Sequence, residues 1–239
     1  MTSVAAEDRT EEVGIAGQVG FWSVVVLAVL LGVHPPGSSE LYNDGQQFVE
    51  HVNAFWVTIH FLGTLTFIAL LLPVAVWGRQ LASVRARVIA RLAFYVALVG
   101  TAIGSLHLIA TDTAVFLAFS DTYASGSGSE AVEVGADRLL RFHASTLTAW
   151  ALVHFVALPV AIGLASKADG RFPSWYPLLT WAAAALAGAA VVVAVSEGQW
   201  STLSDMALFR PAVVLLIVWF VVTTWWMRRG EVVAVARPG

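Results

Sequence analysis

Residues 54–77 of this chain read AFWVTIHFLGTLTFIALLLPVAVW, a run that contains no aspartate, glutamate, lysine or arginine. A membrane-spanning helix needs about 20 consecutive apolar residues, and this run is long enough. Because backbone amides and carbonyls find no water inside a bilayer, such a run forms a helix rather than an open strand. The ionisable side chain within it, His60, is therefore the first feature that needs an explanation.

Five further apolar runs of similar length occur along the chain. The six runs predict membrane-spanning helices over residues 15–33, 54–77, 88–110, 142–165, 175–195 and 207–227. The chain is 58% hydrophobic and 12% charged, with a mean hydropathy of +0.77, whereas soluble domains carry about 25% charged residues. We therefore predict an all-α fold, an integral membrane bundle of six transmembrane helices over 15–227, with tails over 1–14 and 228–239.

The positive charges predict how this bundle is oriented. They collect in the connections after the second and fourth runs and in the C-terminal tail: Arg79, Arg85, Arg87, Arg91, Lys167, Arg171, Arg228, Arg229 and Arg237. The other connections are acidic. The positive-inside rule then predicts a multi-pass protein of the plasma membrane with both termini in the cytoplasm. The start of the chain is acidic, unlike a secretory signal, so we expect the first run to be a retained anchor.

Composition excludes several classes of function. The chain has no cysteine, so disulfides, thiolate catalysis, iron–sulfur clusters and covalently attached haem are excluded. Its net charge of −3 and its lack of a basic tract argue against nucleic acid as a partner. The expected partner is the lipid bilayer.

Three histidines lie inside apolar runs at a similar depth. Counting ~1.5 Å per residue from the basic end of each run places His60, His107 and His154 about 20–26 Å along their helices. The hydrocarbon core is about 30 Å thick, so all three fall in its middle or outer half. His143 lies about three turns further out than His154 on the same run. Because an imidazole in hydrocarbon usually faces the bundle interior, the sequence predicts one functional site toward the outer face.

The first hypothesis is a redox protein that holds one haem b, whose iron takes imidazole as an axial ligand. His60, His107 and His154 are the leading ligands, and His143 is the alternate. Gly63 and Gly104, each one turn from a histidine, and Gly100, one turn beyond Gly104, would leave flat space for the macrocycle. Arg210, near the outer end of the sixth run, could pair with a haem propionate. Such a protein could exchange electrons with a quinone.

The second hypothesis is a membrane enzyme with a histidine-bound metal ion. Three of the four histidines could hold zinc with a water in the fourth position, as in a hydrolase. The same ligands together with Asp112 could hold copper or iron for an oxidative reaction. The substrate would be apolar and would come from the outer leaflet.

The third hypothesis is a transporter or an accessory subunit of a larger membrane complex. In that case the histidines would relay protons or hydrogen-bond neighbouring helices. Gly100 and Gly104 also form a small-xxx-small pattern, which is typical of helix packing.

In a general way, the arrangement of inward-facing histidines on six apolar runs resembles small b-type membrane cytochromes, which are helical bundles. The two-haem members of that class carry histidine pairs near both membrane faces. This chain has no histidine in the cytoplasmic halves of its runs, which argues against an electron path through two haems. The resemblance transfers no residue role to this chain.

Overall fold

The structure is a computed structural model that describes residues 4–33, 53–111, 130–196 and 208–230, and this part of the chain is helical apart from short connections. We number its helices α1 to α6. The bounds are Val4–Val33 for α1, Ala54–Gln80 for α2, Val84–Ser105 with a π-helical continuation over Leu106–Thr111 for α3, Glu130–Trp150, π-helical Ala151–Ala157 and Leu158–Asp169 for α4, Trp175–Ser196 for α5, and Phe209–Arg228 for α6.

Each of the six helices contains a stretch long and apolar enough to cross a membrane. The predicted all-α bundle of six such helices is therefore confirmed, and the composition suggests a multi-pass membrane protein. Two helices begin earlier than predicted. Helix α4 begins at Glu130, before the predicted start at residue 142, and Asp137, Arg138 and Arg141 in its first part are exposed. The first helix begins at Val4, so most of the predicted tail over 1–14 is helical.

The helices form a ring in which neighbours in sequence are neighbours in space. Each helix packs on the one before and the one after it, and α1 closes the ring against α6. The connections from α2 to α3 and from α4 to α5 are only a few residues long, which places consecutive helices antiparallel. The ring surrounds a central space that is filled differently at its two ends.

One end of the ring carries a high density of positive charge, and we call it the arginine-rich end. Its basic residues are Arg79, Arg85, Arg87, Arg91, Lys167, Arg171, Arg228 and Arg229. Asp169 ties two connections together there, because its Oδ1 accepts hydrogen bonds from the backbone N–H groups of Ala82 at 2.8 Å and Ser83 at 3.3 Å. Arg171 donates to Oδ2 of Asp169 from Nε and Nη2, and also to the carbonyl of Gln80. These bonds fix the ends of α2 and α4 to the start of α3.

Large aromatic side chains fill the ring next to the arginine-rich end, and we call this the packed half. Trp77, Tyr176 and Trp219 are almost fully buried. The Trp77 and Trp219 rings meet edge to face at 5.6 Å, and the Tyr176 hydroxyl hydrogen-bonds the hydroxyl of Thr223 at 2.7 Å. Edge-to-face contacts of this kind stabilise aromatic cores beyond the burial of area alone.

Candidate functional site

A cavity of about 530 Å³ lies in the other half of the bundle, between α1, α2, α3, α4 and α6. We call this the histidine half, because all four predicted histidines line the cavity: His60, His107, His143 and His154. Binding sites for cofactors and small molecules are typically cavities of about 300–1,000 Å³ with mostly apolar walls and a few polar groups. The volume and the lining of this cavity fit that description.

The remaining wall of the cavity is almost entirely apolar. Its aromatic members are Trp56, Phe67, Trp150, Phe155, Phe209 and Phe220. Its aliphatic members come mainly from α1 and α6, and include Leu27, Leu30, Leu31, Val213, Val214, Leu216 and Ile217. The polar groups therefore come chiefly from α2, α3 and α4.

The four imidazoles are buried inside the ring of helices. The exposed fraction is 8% for His60, 4% for His107, and 3% each for His143 and His154. His60 lies on α2, His107 on α3, and both His143 and His154 on α4. Counting along the helices predicted one level for His60, His107 and His154 and a position further out for His143, and the structure places all four around one cavity.

Two of these histidines lie in π-helical segments. His107 is the second residue of the segment Leu106–Thr111 in α3, and His154 is in the middle of Ala151–Ala157 in α4. The π-helix is rare, and π-helical turns inside α-helices occur frequently at functional sites. Each of the two π-helical segments in the described residues contains a buried histidine that lines the cavity.

His107 makes a hydrogen bond that fixes its tautomer. Its Nδ1 lies 3.1 Å from the hydroxyl oxygen of Thr146 on α4. That hydroxyl has one proton and lies within hydrogen-bond distance of the carbonyls of His143 and Phe142, at 2.9 and 3.1 Å. Donation to a carbonyl leaves the hydroxyl oxygen to accept from His107 Nδ1–H. The lone pair of the imidazole is then on Nε2, which is the arrangement of a metal-ligating histidine.

His143 lies beside His107 and not opposite to it. The centroids of the two rings are 4.2 Å apart, and the ring planes are inclined at 45°. This separation leaves no room for a macrocycle between the two rings. His107 and His143 therefore form a neighbouring pair on one side of the cavity.

His154 is enclosed by aromatic rings and by α3. The edge of Phe67 meets it at a centroid distance of 5.0 Å, and Phe155 lies at 5.2 Å. Neither ring nitrogen of His154 has a hydrogen-bond partner among the described residues. A buried polar group without a partner costs about 1–3 kcal/mol, and both nitrogens are enclosed by protein atoms, Nδ1 on the side of Gly100 in α3.

The three glycines near the histidines have different roles. A Cβ at Gly63 would meet no heavy atom of the described part of the chain within 4 Å, and Gly63 lines the cavity one turn from His60. A Cβ at Gly100 would lie 2.8 Å from Nδ1 of His154, and one at Gly104 would lie 2.7 Å from Nε1 of Trp150. The prediction of open space is confirmed for Gly63 and wrong for Gly100 and Gly104. The latter two let α3 and α4 pack closely.

His60 and Arg210 complete the polar lining. The Trp56 ring meets the His60 ring edge to face, with centroids 4.6 Å apart. Arg210 lies in the first turn of α6, where it lines the cavity and is also exposed. A guanidinium at this position can interact with an anionic group at the edge of the cavity.

The histidines do not form a three-ligand metal site in the described part of the chain. No group of three histidine, aspartate or glutamate side chains within residues 4–33, 53–111, 130–196 and 208–230 is arranged to hold one metal ion. A catalytic zinc site needs three protein ligands. Asp112 lies outside the described residues, so its combination with the histidines stays a prediction.

Thr146 is the residue of this site whose contact with a histidine was hardest to predict from the sequence. It is one of several hydroxyl residues on its helix, all of which can bond back to a carbonyl one turn earlier. Only the way α3 and α4 pack shows that Thr146, and not Thr148, meets the histidine. No pattern in the sequence carries that information.

The fold and the cavity define a class, a six-helix bundle of membrane type with an internal cavity lined by histidines. Comparison of this chain with protein-family models, with curated proteins and with solved structures finds no match in any of the three. Function therefore has to be argued from the site itself.

Proposed function

We propose that this chain is a redox protein of the plasma membrane that binds one haem b in the histidine-lined cavity. The observation that carries the proposal is the set of four buried imidazoles, from three helices, around one cavity of about 530 Å³. Imidazole is an axial ligand of haem iron in many haem proteins. The apolar and aromatic walls suit a flat, largely apolar macrocycle.

The number of ligands favours haem over a bare metal ion. The porphyrin supplies four nitrogens, so the protein has to provide only one or two axial ligands. A histidine-bound zinc needs three protein ligands at about 2.0–2.2 Å, and the described residues contain no such group. A single metal ion requires imidazoles that converge on one point, whereas a large cofactor requires imidazoles spread around a cavity.

His107 is the strongest candidate for an axial ligand. Metal-bound histidines almost always donate their second ring N–H to an acceptor, which orients the ring and raises its basicity. The hydroxyl of Thr146 is such an acceptor for His107. A second axial ligand would come from His60 or His154, because the ring of His143 lies directly beside that of His107.

Two further residues support the binding of a macrocycle. Gly63 leaves open space beside His60, so a flat ring can approach α2 there. Arg210, at the edge of the cavity, would pair with a propionate through charge-assisted hydrogen bonds. Bound haem would supply reversible one-electron transfer, and these residues would set its position and its potential.

The charge distribution supports an orientation for this protein. Basic residues dominate one end of the bundle, and the positive-inside rule assigns such an end to the cytoplasm. Both termini would then be cytoplasmic, since α1 begins and α6 ends there. The cavity, in the opposite half, would lie toward the outer face of the plasma membrane. Cysteine substitutions at Arg85 and Leu208, each tested with a membrane-impermeant thiol reagent on intact cells, check this assignment.

An absorbance spectrum tests the proposal directly. The chain is produced in haem-replete cells, purified in a mild detergent and analysed for haem as its pyridine complex. We expect a strong Soret band that shifts on reduction, and one haem per chain. A colourless preparation without iron, from cells in which a control haem protein is fully loaded, contradicts the proposal. One zinc or copper per chain in that preparation supports the metal-ion hypothesis instead.

A further inference from the structure

Two basic residues of the arginine-rich end are neutralised by carboxylates of the chain, and a third is not. Arg79 pairs with Glu12, and Arg171 pairs with Asp169. Arg228, at the end of α6, pairs with no carboxylate of the described residues, and its guanidinium contacts aromatic rings instead. The residue is also partly exposed at the surface of the bundle. Its positive charge is therefore accessible to a partner from outside the chain.

Aromatic rings hold Arg228 and its neighbour in place. The guanidinium carbon of Arg228 lies 4.5 Å from the ring centroid of Phe21 on α1 and 5.7 Å from that of Trp225. The guanidinium carbon of Arg229 lies 4.3 Å from the Trp225 centroid. Cation–π contacts of this kind attract a guanidinium to the ring, but a ring offers no oxygen to the five N–H donors of arginine. The donors of Arg228 are thus positioned to bond to an external anion.

The two arginines lie at the level where lipid headgroups are expected. Trp22 and Trp225 are exposed over 57% and 39% of their surfaces, and tryptophan is enriched at the interface between membrane and water. Further from the arginine-rich end, Val26 on α1 and Val218 on α6 are also exposed. They lie four and seven residues from these tryptophans, which places them on the same helix faces. A basic surface at headgroup level therefore continues into an aliphatic surface at the level of acyl chains.

The first and the last helix of the ring meet at this surface. A Cβ at Gly17 of α1 would lie 2.5 Å from the backbone nitrogen of Arg228, so the two helices are in close contact here. Glu11 and Glu12 precede Gly17 by six and five residues, which places them ~7–9 Å further along the helix axis. Glu12 pairs with Arg79 of α2, on another side of α1. The surface around Arg228 is thus dominated by positive charge.

We propose that the surface formed by Phe21, Trp22, Trp225, Arg228 and Arg229 binds one anionic phospholipid, and we call it the headgroup site. The phosphate accepts hydrogen bonds from Arg228, because the N–H fork of a guanidinium matches two phosphate oxygens. The acyl chains lie along the exposed aliphatic faces of α1 and α6. A lipid with a cationic headgroup binds less well, because the two guanidinium groups repel its positive charge.

A lipid in the headgroup site contacts both α1 and α6 and therefore closes the ring of helices at the arginine-rich end. In the proposed orientation this end lies in the cytoplasmic leaflet, whose surface carries the negative charge of anionic lipids. The site does not depend on haem, because it lies on the outer surface of the bundle and at the end opposite to the cavity.

Native mass spectrometry tests the proposal. The full-length protein is purified in a mild detergent, and phosphatidylglycerol and phosphatidylcholine with identical acyl chains are titrated separately and together. We expect one phosphatidylglycerol to bind per chain before any other lipid binds, and we expect phosphatidylcholine not to displace it. Glycerol 3-phosphate, which has the phosphate but no acyl chains, should not displace it either.

Replacing both arginines of the site, Arg228→Gln together with Arg229→Gln, should weaken the binding of phosphatidylglycerol by about thirtyfold. This factor corresponds to ~2 kcal/mol, since each basic residue near an anionic lipid surface contributes about 1 kcal/mol. The matched control is Arg85→Gln together with Arg91→Gln. It removes the same charge from the same end, but both residues are exposed on α3, which packs between α2 and α4. The control should bind phosphatidylglycerol like the wild type.

A melting experiment gives a second readout. A ligand that binds only the folded protein raises its melting temperature. Phosphatidylglycerol should therefore raise the melting temperature of the wild type and of the control more than phosphatidylcholine does, and it should not do so in the variant of Arg228 and Arg229. Circular dichroism in detergent alone verifies that all three proteins are equally helical.

Four results would contradict the proposal. Unchanged affinity in the variant of Arg228 and Arg229 shows that the lipid binds elsewhere. An equal loss in the control shows only a general attraction to the arginine-rich end. Displacement by phosphatidylcholine shows that net charge is not recognised, and displacement by glycerol 3-phosphate shows that the ligand is a free phosphate. A colourless protein that still binds one phosphatidylglycerol contradicts the haem proposal and leaves the headgroup site standing.

Discussion

The packed half and the histidine half of this bundle both contain large buried aromatic side chains. In the first half these side chains fill the core, whereas in the second they surround a cavity. In the packed half, Trp77 and Trp219 contact each other and Tyr176, and each ring is enclosed on all sides. In the histidine half, Trp56 and Trp150 are also buried, with 2% and 8% of their surfaces exposed, yet each lines the cavity. Aromatic content alone therefore does not decide whether a bundle core is filled.

The helix contacts differ in the same way. Glycine brings α1 against α6 in the packed half, through Gly17 and Gly20, whereas a Cβ at Gly63 in the histidine half would meet no heavy atom of the described residues within 4 Å. Interiors of proteins are normally close-packed. A cavity beside well-packed layers agrees with the proposal that the histidine half binds a cofactor while the packed half stabilises the bundle.

The largest effect that separates the two halves should come from His107→Ala, which removes the leading axial ligand. We expect the haem absorbance to be lost while the helical content by circular dichroism is retained. The matched control is Leu106→Ala, because Leu106 lies in the same π-helical segment and is 44% exposed. It should keep its haem. Full haem content in His107→Ala would show that another histidine ligates the iron.

The next largest effect should be on stability. Trp77→Ala removes a fully buried ring from the packed half and should destabilise the protein by about 3–5 kcal/mol. Trp56→Ala should cost less, because its ring already lacks neighbours on the cavity side. Unfolding is followed by circular dichroism in mixed micelles on haem-free protein, since bound haem would add stability. Equal losses in the two variants would remove the distinction between the halves.

A pair of glycine substitutions tests the difference in packing between the two halves. Gly20→Ala places a methyl group against Thr224 and Pro73, and overpacking of this kind costs about 1–3 kcal/mol. Gly63→Ala should be neutral or stabilising, because alanine favours a helix by about 1 kcal/mol over glycine and the position is open. The same methyl group should weaken haem binding in a titration of the haem-free protein. If Gly63→Ala binds haem normally, the macrocycle does not approach α2 at this position.

The smallest effect should come from Thr146→Val, which keeps the shape of the side chain and removes the acceptor for His107 Nδ1. Loss of such an outer-shell partner typically lowers metal affinity by about 10–100-fold. We expect weaker haem binding and a shifted reduction potential, and recovery of both in Thr146→Ser. Thr148→Val is the control, since the Thr148 hydroxyl bonds the Ala144 carbonyl on its own helix. A merely structural role for Thr146 would leave the potential unchanged.

Much of the fold was accessible from the sequence, because hydropathy is a property of each segment by itself. The six apolar runs and the shared depth of His60, His107 and His154 follow from counting residues along a helix. The space around each glycine did not follow, because it depends on which neighbour each helix turns toward. Gly63 and Gly104 each lie three residues from a histidine, yet one lines the cavity and the other packs against Trp150.

The sequence predicts one of the two π-helical segments better than the other. Pro159 lies two residues after Ala151–Ala157, and a proline inside a helix removes a hydrogen bond and clashes with the carbonyl four residues earlier, which here is that of Phe155. The segment Leu106–Thr111 contains no proline or glycine. The bond between Thr146 and His107 depends on how α3 packs against α4, which no local pattern determines.

The hydrogen bonds of Asp169 determine how a change in the π-helical segment of α4 would affect the rest of that helix. Asp169 holds the end of α4 in place, so any change of phase within Ala151–Ala157 must rotate the distant part of the helix. Deleting one residue there would turn His143 and Thr146 by about 100° around the axis. Insertion or deletion of one residue in this segment would therefore create or destroy the proposed binding site during evolution. The bundle of six helices would remain.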